Sequence, residues 1–103
     1  MLDIKRLYFK KNNFEISIEF GDMCKVTYNG KTKIVKSEMI IEYIINIIKI
    51  TYNWKSEYIN RSYIDGDSWT LVIDNKKIIG HAAYSSNFNL LERQLGMIIS
   101  NLV

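Results

Sequence analysis

Four groups of residues carry chemistry that a small protein could use. His81 is the only histidine. A general base needs a partner that orients the imidazole, and nucleophilic catalysis needs Ser or Cys beside it with a carboxylate behind. The residues flanking His81, Gly80 and Ala82, supply neither, so it reads as a structural or surface histidine. Cys24 is the only cysteine. It falls in phase with Val26 and Tyr28, the pattern of a small buried hydrophobe rather than a reactive thiol. Asp65-Gly66-Asp67-Ser68 offers oxygen atoms at i and i+2. A calcium loop needs further ligands and a terminal bidentate Glu, so the segment reads as a turn. No zinc spacing and no phosphate-cradling glycine pattern occurs, and neither a metal nor a cofactor is expected.

The fourth group is basic. Lys5, Arg6, Lys10, Lys11, Lys25, Lys31, Lys33 and Lys36 stand against Asp3, Glu15, Glu19 and Asp22, so the first 36 residues carry +4 and the rest −1 of the chain's formal charge of +3. Lysines interleaved with Tyr8 and Tyr28 resemble a platform for single-stranded nucleic acid. Glu15, Ser17 and Glu19 share that polar face and would neutralise it through cross-strand pairing. Abundant Ile, Asn, Lys and Tyr also suggest AT-rich coding, which lowers the weight of the lysine count.

These groups must be held by one domain, because 103 residues fit a single core that needs no disulfide. Phe14 to Phe20 alternates strictly, the period of a half-buried strand. Lys5 to Lys10 precedes it as a strand and Met23 to Tyr28 follows. Asn29-Gly30 is a strong hairpin signal, since a type I′ turn needs positive φ at both central residues. Thr32 to Lys36 is the return strand of a four-stranded meander.

Ser37 and Glu38 suit a helix start, and Met39 to Ile50 reads as a very apolar helix. Its polar residues Glu38, Glu42, Asn46, Lys49 and Asn53 trace one stripe, expected to be the only water-facing part. Tyr43, Ile47 and Ile50 then form a candidate oligomer surface. Tyr52 to Tyr63 reads as an irregular connection. Ser68 to Ile73 is a strand with apolar groups on both faces, hence central. Lys77 to Ala83 returns as a hairpin. Phe88, Leu91, Leu95, Ile98 and Leu102 mark a last helix, capped by Asn89 with Glu92 or by Ser86. The order ββββ-α-ββ-α predicts an α+β domain spanning residues 1–103, an antiparallel sheet with two helices on one face.

Ile64-Asp65-Gly66, Trp69, Gly80, Tyr84 and Asn87-Phe88 resemble a pattern in small uncharacterised bacterial proteins: Asp-Gly-x-x-Trp, a hairpin Gly, then Tyr-Pro-x-Asn-aromatic before a final helix. The resemblance covers about residues 38–102, with Ser85 where that pattern has Pro. It implies the hairpin and the final helix, and no activity.

No apolar run suits a signal peptide or a membrane span, so a soluble, cytoplasmic protein is expected, and the weak support for each candidate catalytic group makes it non-enzymatic. Its function is read as a protein-interaction module that blocks a surface on another protein, in the manner of the inhibitors of mobile elements, anti-CRISPR proteins among them. The candidate partner-binding residues are Lys25, Tyr28, Lys31, Lys33 and Lys36. A nucleic-acid-binding domain using the basic N-terminal sheet is the alternative, and a small enzyme relying on His81 the third. Expected partners are another protein, nucleic acid under the alternative, or a second copy of the chain.

Overall fold

A computed structural model describes residues 4–62 and 66–102. Among these residues the fold is α+β, with one seven-stranded, mostly antiparallel sheet and two helices. The strands are β1 (Arg6–Lys11), β2 (Phe14–Glu19), β3 (Met23–Tyr28), β4 (Lys31–Lys36), β5 (Glu57–Ile59), β6 (Ser68–Ile73) and β7 (Lys76–His81), in the spatial order β4-β3-β2-β1-β6-β7-β5. The helices are α1 (Ile41–Thr51) and α2 (Phe88–Ser100).

The meander forms because each connection can turn tightly. Asn29 and Gly30 both adopt positive φ, at 47° and 85°, as the I′ turn requires. Asn12 and Asp74 take the left-handed conformation at the β1–β2 and β6–β7 turns, which Asn and Asp tolerate better than most residues. Strand β6 is interior, pairing β1 on one side and β7 on the other.

Three local features depart from the sequence reading. The connection after α1 contains a seventh strand, β5, which pairs parallel to β7. It is three residues long and lies at a sheet edge, too short for a period to show. Ser37 does not cap a helix with its side chain. Ser37–Met39 form a single 3-10 turn, Ile40 occupies the N-cap of α1, and no side-chain cap bond forms there. At α2 the N-cap residue is Asn87, and it too makes no side-chain cap bond.

One sheet face carries the core. Leu7 and Phe9 of β1, Ile16 and Ile18 of β2, Cys24 and Val26 of β3, Val35 of β4, Trp69 and Leu71 of β6 and Ile78 of β7 are buried there with Ile40, Ile44, Ile47, Leu91, Leu95 and Ile98. Among the described residues none on the opposite face is buried. Three lysines on the helix-bearing side tie the helices down. Lys76 donates to the carbonyls of Thr51 and Tyr52 at 3.0 and 3.3 Å, at the C-terminal end of α1. Lys33 donates to the Leu102 carbonyl just beyond α2. Lys11 pairs with Glu92 of α2 at 3.2 Å. A cation near a helix C-terminus satisfies carbonyls that lack helical partners and opposes the helix dipole.

Candidate functional site

The basic residues expected to form one surface are divided between the two faces. The turn at Asn29-Gly30 pairs Tyr28 with Lys31 and Val26 with Lys33. Tyr28, Lys31 and Lys33 therefore lie on the helix-bearing side. The Tyr28 ring sits 5.4 Å from that of Phe14, and Lys33 is engaged at Leu102. Lys25 and Lys36 lie on the open face, where Lys25 and Arg6 flank Glu19 and Lys10 stands opposite Glu15. Tyr8 donates to Glu15 at 2.6 Å, and that bond, with some burial, holds its phenol above its ordinary pKa. Acidic and basic side chains thus interleave on this face. The division was readable in the hairpin, because a two-residue I′ turn fixes the register and so the side to which each lysine points.

The Trp and Gly of the C-terminal pattern meet in one aromatic joint. Trp69 lies at its centre, with the rings of Phe88, Trp54, Tyr58 and Tyr84 at 4.8, 5.9, 5.9 and 6.3 Å. Its indole N–H donates to the Ala83 carbonyl at 2.9 Å. Asn87 accepts from the indole of Trp54 at 2.8 Å and donates to the Ile50 carbonyl at 3.2 Å. That duty explains why it is not a side-chain cap. Gly66 lies so near Ala82 that an added Cβ would stand 2.2 Å from the Ala82 methyl. Ile64 and Asp65 lie outside the described residues. The other residues fasten the β6–β7 hairpin to α1 and α2.

Two clefts flank this joint. One, of about 500 Å³, is lined by Lys49, Asn53, Trp54, Tyr58, Tyr84 and Asn87. The other, of about 300 Å³, has Phe9, Phe14 and Leu95 as its apolar walls and the Lys11–Glu92 pair at its rim. Lys11 also stands 5.2 Å from the centroid of Tyr84. Burial raises the Tyr84 pKa, and the nearby Lys11 charge opposes that shift.

The residues singled out for chemistry sit elsewhere. His81 Nδ1 lies 2.8 Å from Ser68 Oγ, its register partner across β6–β7. The flanking residues could not reveal this contact; the hairpin turn between the two strands could. Cys24 is fully buried, and burial pushes its thiol above the ordinary range. Asp67 accepts from Asn12 and from Tyr84, each at 3.2 Å, which ties the β1–β2 turn to the loop before α2. Among the described residues no group of three potential metal ligands gathers.

The outer surface of α1 differs most from expectation. Asn46, assigned to the water-facing stripe, turns inward and donates to the side chain of Gln94 on α2 at 3.1 Å. Ile47, expected on an oligomer surface, is fully buried, and Tyr43 and Ile50 pack partly against the core. Ile44, Ile47 and Thr51 form the buried face. The solvent side instead holds Glu42, Ile45, Lys49 and Tyr52, with Ile45 37% and Tyr52 75% exposed. Half-buried Ile41 and Ile48 complete a strip, Ile41-Ile45-Ile48-Tyr52, at the four-three-four spacing of a helix-pairing seam.

Comparison with family models, curated protein sequences and solved structures returns no match. Among the described residues no helix is long and apolar enough to cross a membrane.

Proposed function

We propose that the protein is a non-enzymatic protein-interaction module whose contact surface is the outer face of α1. The supporting observation is the exposure of Ile45 and Tyr52 on a helix whose polar Asn46 is spent inward on Gln94. A contiguous apolar strip rimmed by charge is the usual mark of a docking surface. Its finer form is an inhibitor, of the kind mobile elements direct against host defences such as CRISPR, that covers a surface on its target. A cytoplasmic setting accords with one buried, free thiol.

The alternatives draw less support. Nucleic-acid binding would use the open sheet face, where Glu15 and Glu19 interrupt the basic residues. An enzyme would use His81 and Ser68, and the clefts described above are lined by other residues.

Site-specific photocrosslinking in cells tests the proposal. A photoreactive residue at position 45 should give a discrete protein adduct, and one at position 17 on the open face should not. Equal labelling at both positions, or labelling at neither, overturns it.

A further inference from the structure

We infer that α1 pairs with α1 of a second copy of this chain, antiparallel across a two-fold axis. This rests on the contact surface proposed above and names its occupant. The seam has the required shape. At 3.6 residues per turn, Ile41, Ile45, Ile48 and Tyr52 lie within about 60° of one another and roughly 100° from the centre of the buried face. Asn46, on the far side of the helix, marks where α2 sits. The strip therefore faces away from α2, with Ile45 and Tyr52 open to a second helix.

Charge selects the occupant and its direction. Exposed Glu42 and Lys49 run along the solvent flank of the seam, Glu42 in the first turn of α1 and Lys49 in the last. In an antiparallel two-fold pair Ile45 meets the other copy's Ile48, Ile41 meets its Tyr52, and each Glu42 comes beside the other copy's Lys49. The symmetry makes that ion pair twice and also opposes the two helix dipoles. Parallel pairing would put the Glu42/Lys49 flanks of the two copies on opposite sides of the seam, where neither ion pair can form. The helix thus carries a surface complementary to itself only when reversed.

Size sets the strength. Eleven residues extend about 16 Å, which places the contact at the small, transient end of protein interfaces. The dimer should form with a dissociation constant on the order of 10–100 μM, as weak interfaces of this class do.

Sedimentation velocity across that concentration range tests the pairing. The wild type should pass from monomer to dimer, and Ile45→Glu should stay monomeric with an unchanged thermal melt. Glu42→Lys and Lys49→Glu should each weaken self-association about tenfold, since two favourable pairs become repulsive. Mixing these two variants should restore a heterodimer, and the double exchange Glu42→Lys/Lys49→Glu should restore the homodimer. A wild type monomeric up to 1 mM (on the order of tenfold above the weakest constant expected) overturns the inference. So does a dimer indifferent to the charge exchange. If self-association fails while position 45 still crosslinks to a different protein in cells, the interaction proposal stands and only the second copy is excluded. If neither occurs, both fall.

Discussion

The indole of Trp69 lies against the backbone of Gly80, so closely that a Cβ built on Gly80 would stand 2.0 Å from the indole nitrogen. The two residues are register partners across β6 and β7. Gly80 is thus fixed by space: its missing side chain lets the ring at the centre of the aromatic joint lie flat on the strand. Gly80→Ala should lower stability by at least about 3 kcal/mol, because the ring is held by neighbours on every side and overpacking of this severity exceeds the ordinary cost. Urea unfolding followed by tryptophan fluorescence reads this directly. A variant within about 1 kcal/mol of wild type would show that the joint can shift.

Lys76 makes a smaller and separable contribution. Lys76→Met keeps most of the apolar stem and removes the charged donor from the Thr51 and Tyr52 carbonyls. A loss of about 0.5–1 kcal/mol is expected. In a domain of this length that is a fall in Tm of roughly 3–6 °C, measured by circular dichroism. No change in Tm would mean that water replaces the ammonium without cost.

Ala82 offers a change in the opposite direction. Its φ is 53°, a left-handed conformation that costs an alanine about 1 kcal/mol or more and a glycine almost nothing. Its N–H donates to the Asp67 carbonyl at 2.8 Å, and a glycine preserves that bond. Ala82→Gly should therefore raise stability by about 0.5 kcal/mol after the entropy of the unfolded chain is counted, read as a higher urea midpoint. A lowered midpoint would show that the methyl contact with Gly66 outweighs the strain.

The buried thiol predicts a pH dependence. Cys24 has its pKa raised by burial, and Tyr8 and Tyr84 are raised as well. A raised folded-state pKa means that at high pH the unfolded chain gives up protons more readily. The stability tied to these groups is complete below their unfolded pKa values and is lost as pH rises through the folded ones. The unfolding midpoint should hold steady from these groups through neutral pH and decline beyond the ordinary thiol value of about 8.5. At pH 8 Cys24 should react with a thiol reagent only after denaturation. Fast labelling of the native protein would contradict its burial.

The long elements were legible because each has one dominant period. Alternation in Phe14 to Phe20 and the three-four spacing of Phe88, Leu91, Leu95 and Ile98 locate β2 and α2 without any tertiary information. The chain hides what depends on a distant partner. Asn46 looks like a solvent residue until Gln94 supplies an amide for it, and Ile45 and Tyr52 look like covered residues although no neighbour in the chain covers them fully. β5 exists only as an addition to β7, so nothing local announces it. Lys33 is the instructive middle case. Its face followed from the Asn29-Gly30 turn, and only its acceptor, the Leu102 carbonyl, needed the folded structure.

The pairing of β1 with β6 has a kinetic meaning. Every other antiparallel neighbour in the sheet is joined through a short turn, whereas this seam brings Leu7 beside Ile73. The meander and the β6–β7 hairpin can each zip from their own turns. Closing the seam must instead overcome the entropy of the long loop that contains α1 and β5, so it should set the folding rate. That entropy grows only logarithmically, by about 0.6 kcal/mol per doubling of length. The loop that makes the chain slow to fold is thus also the place where added residues would cost it least.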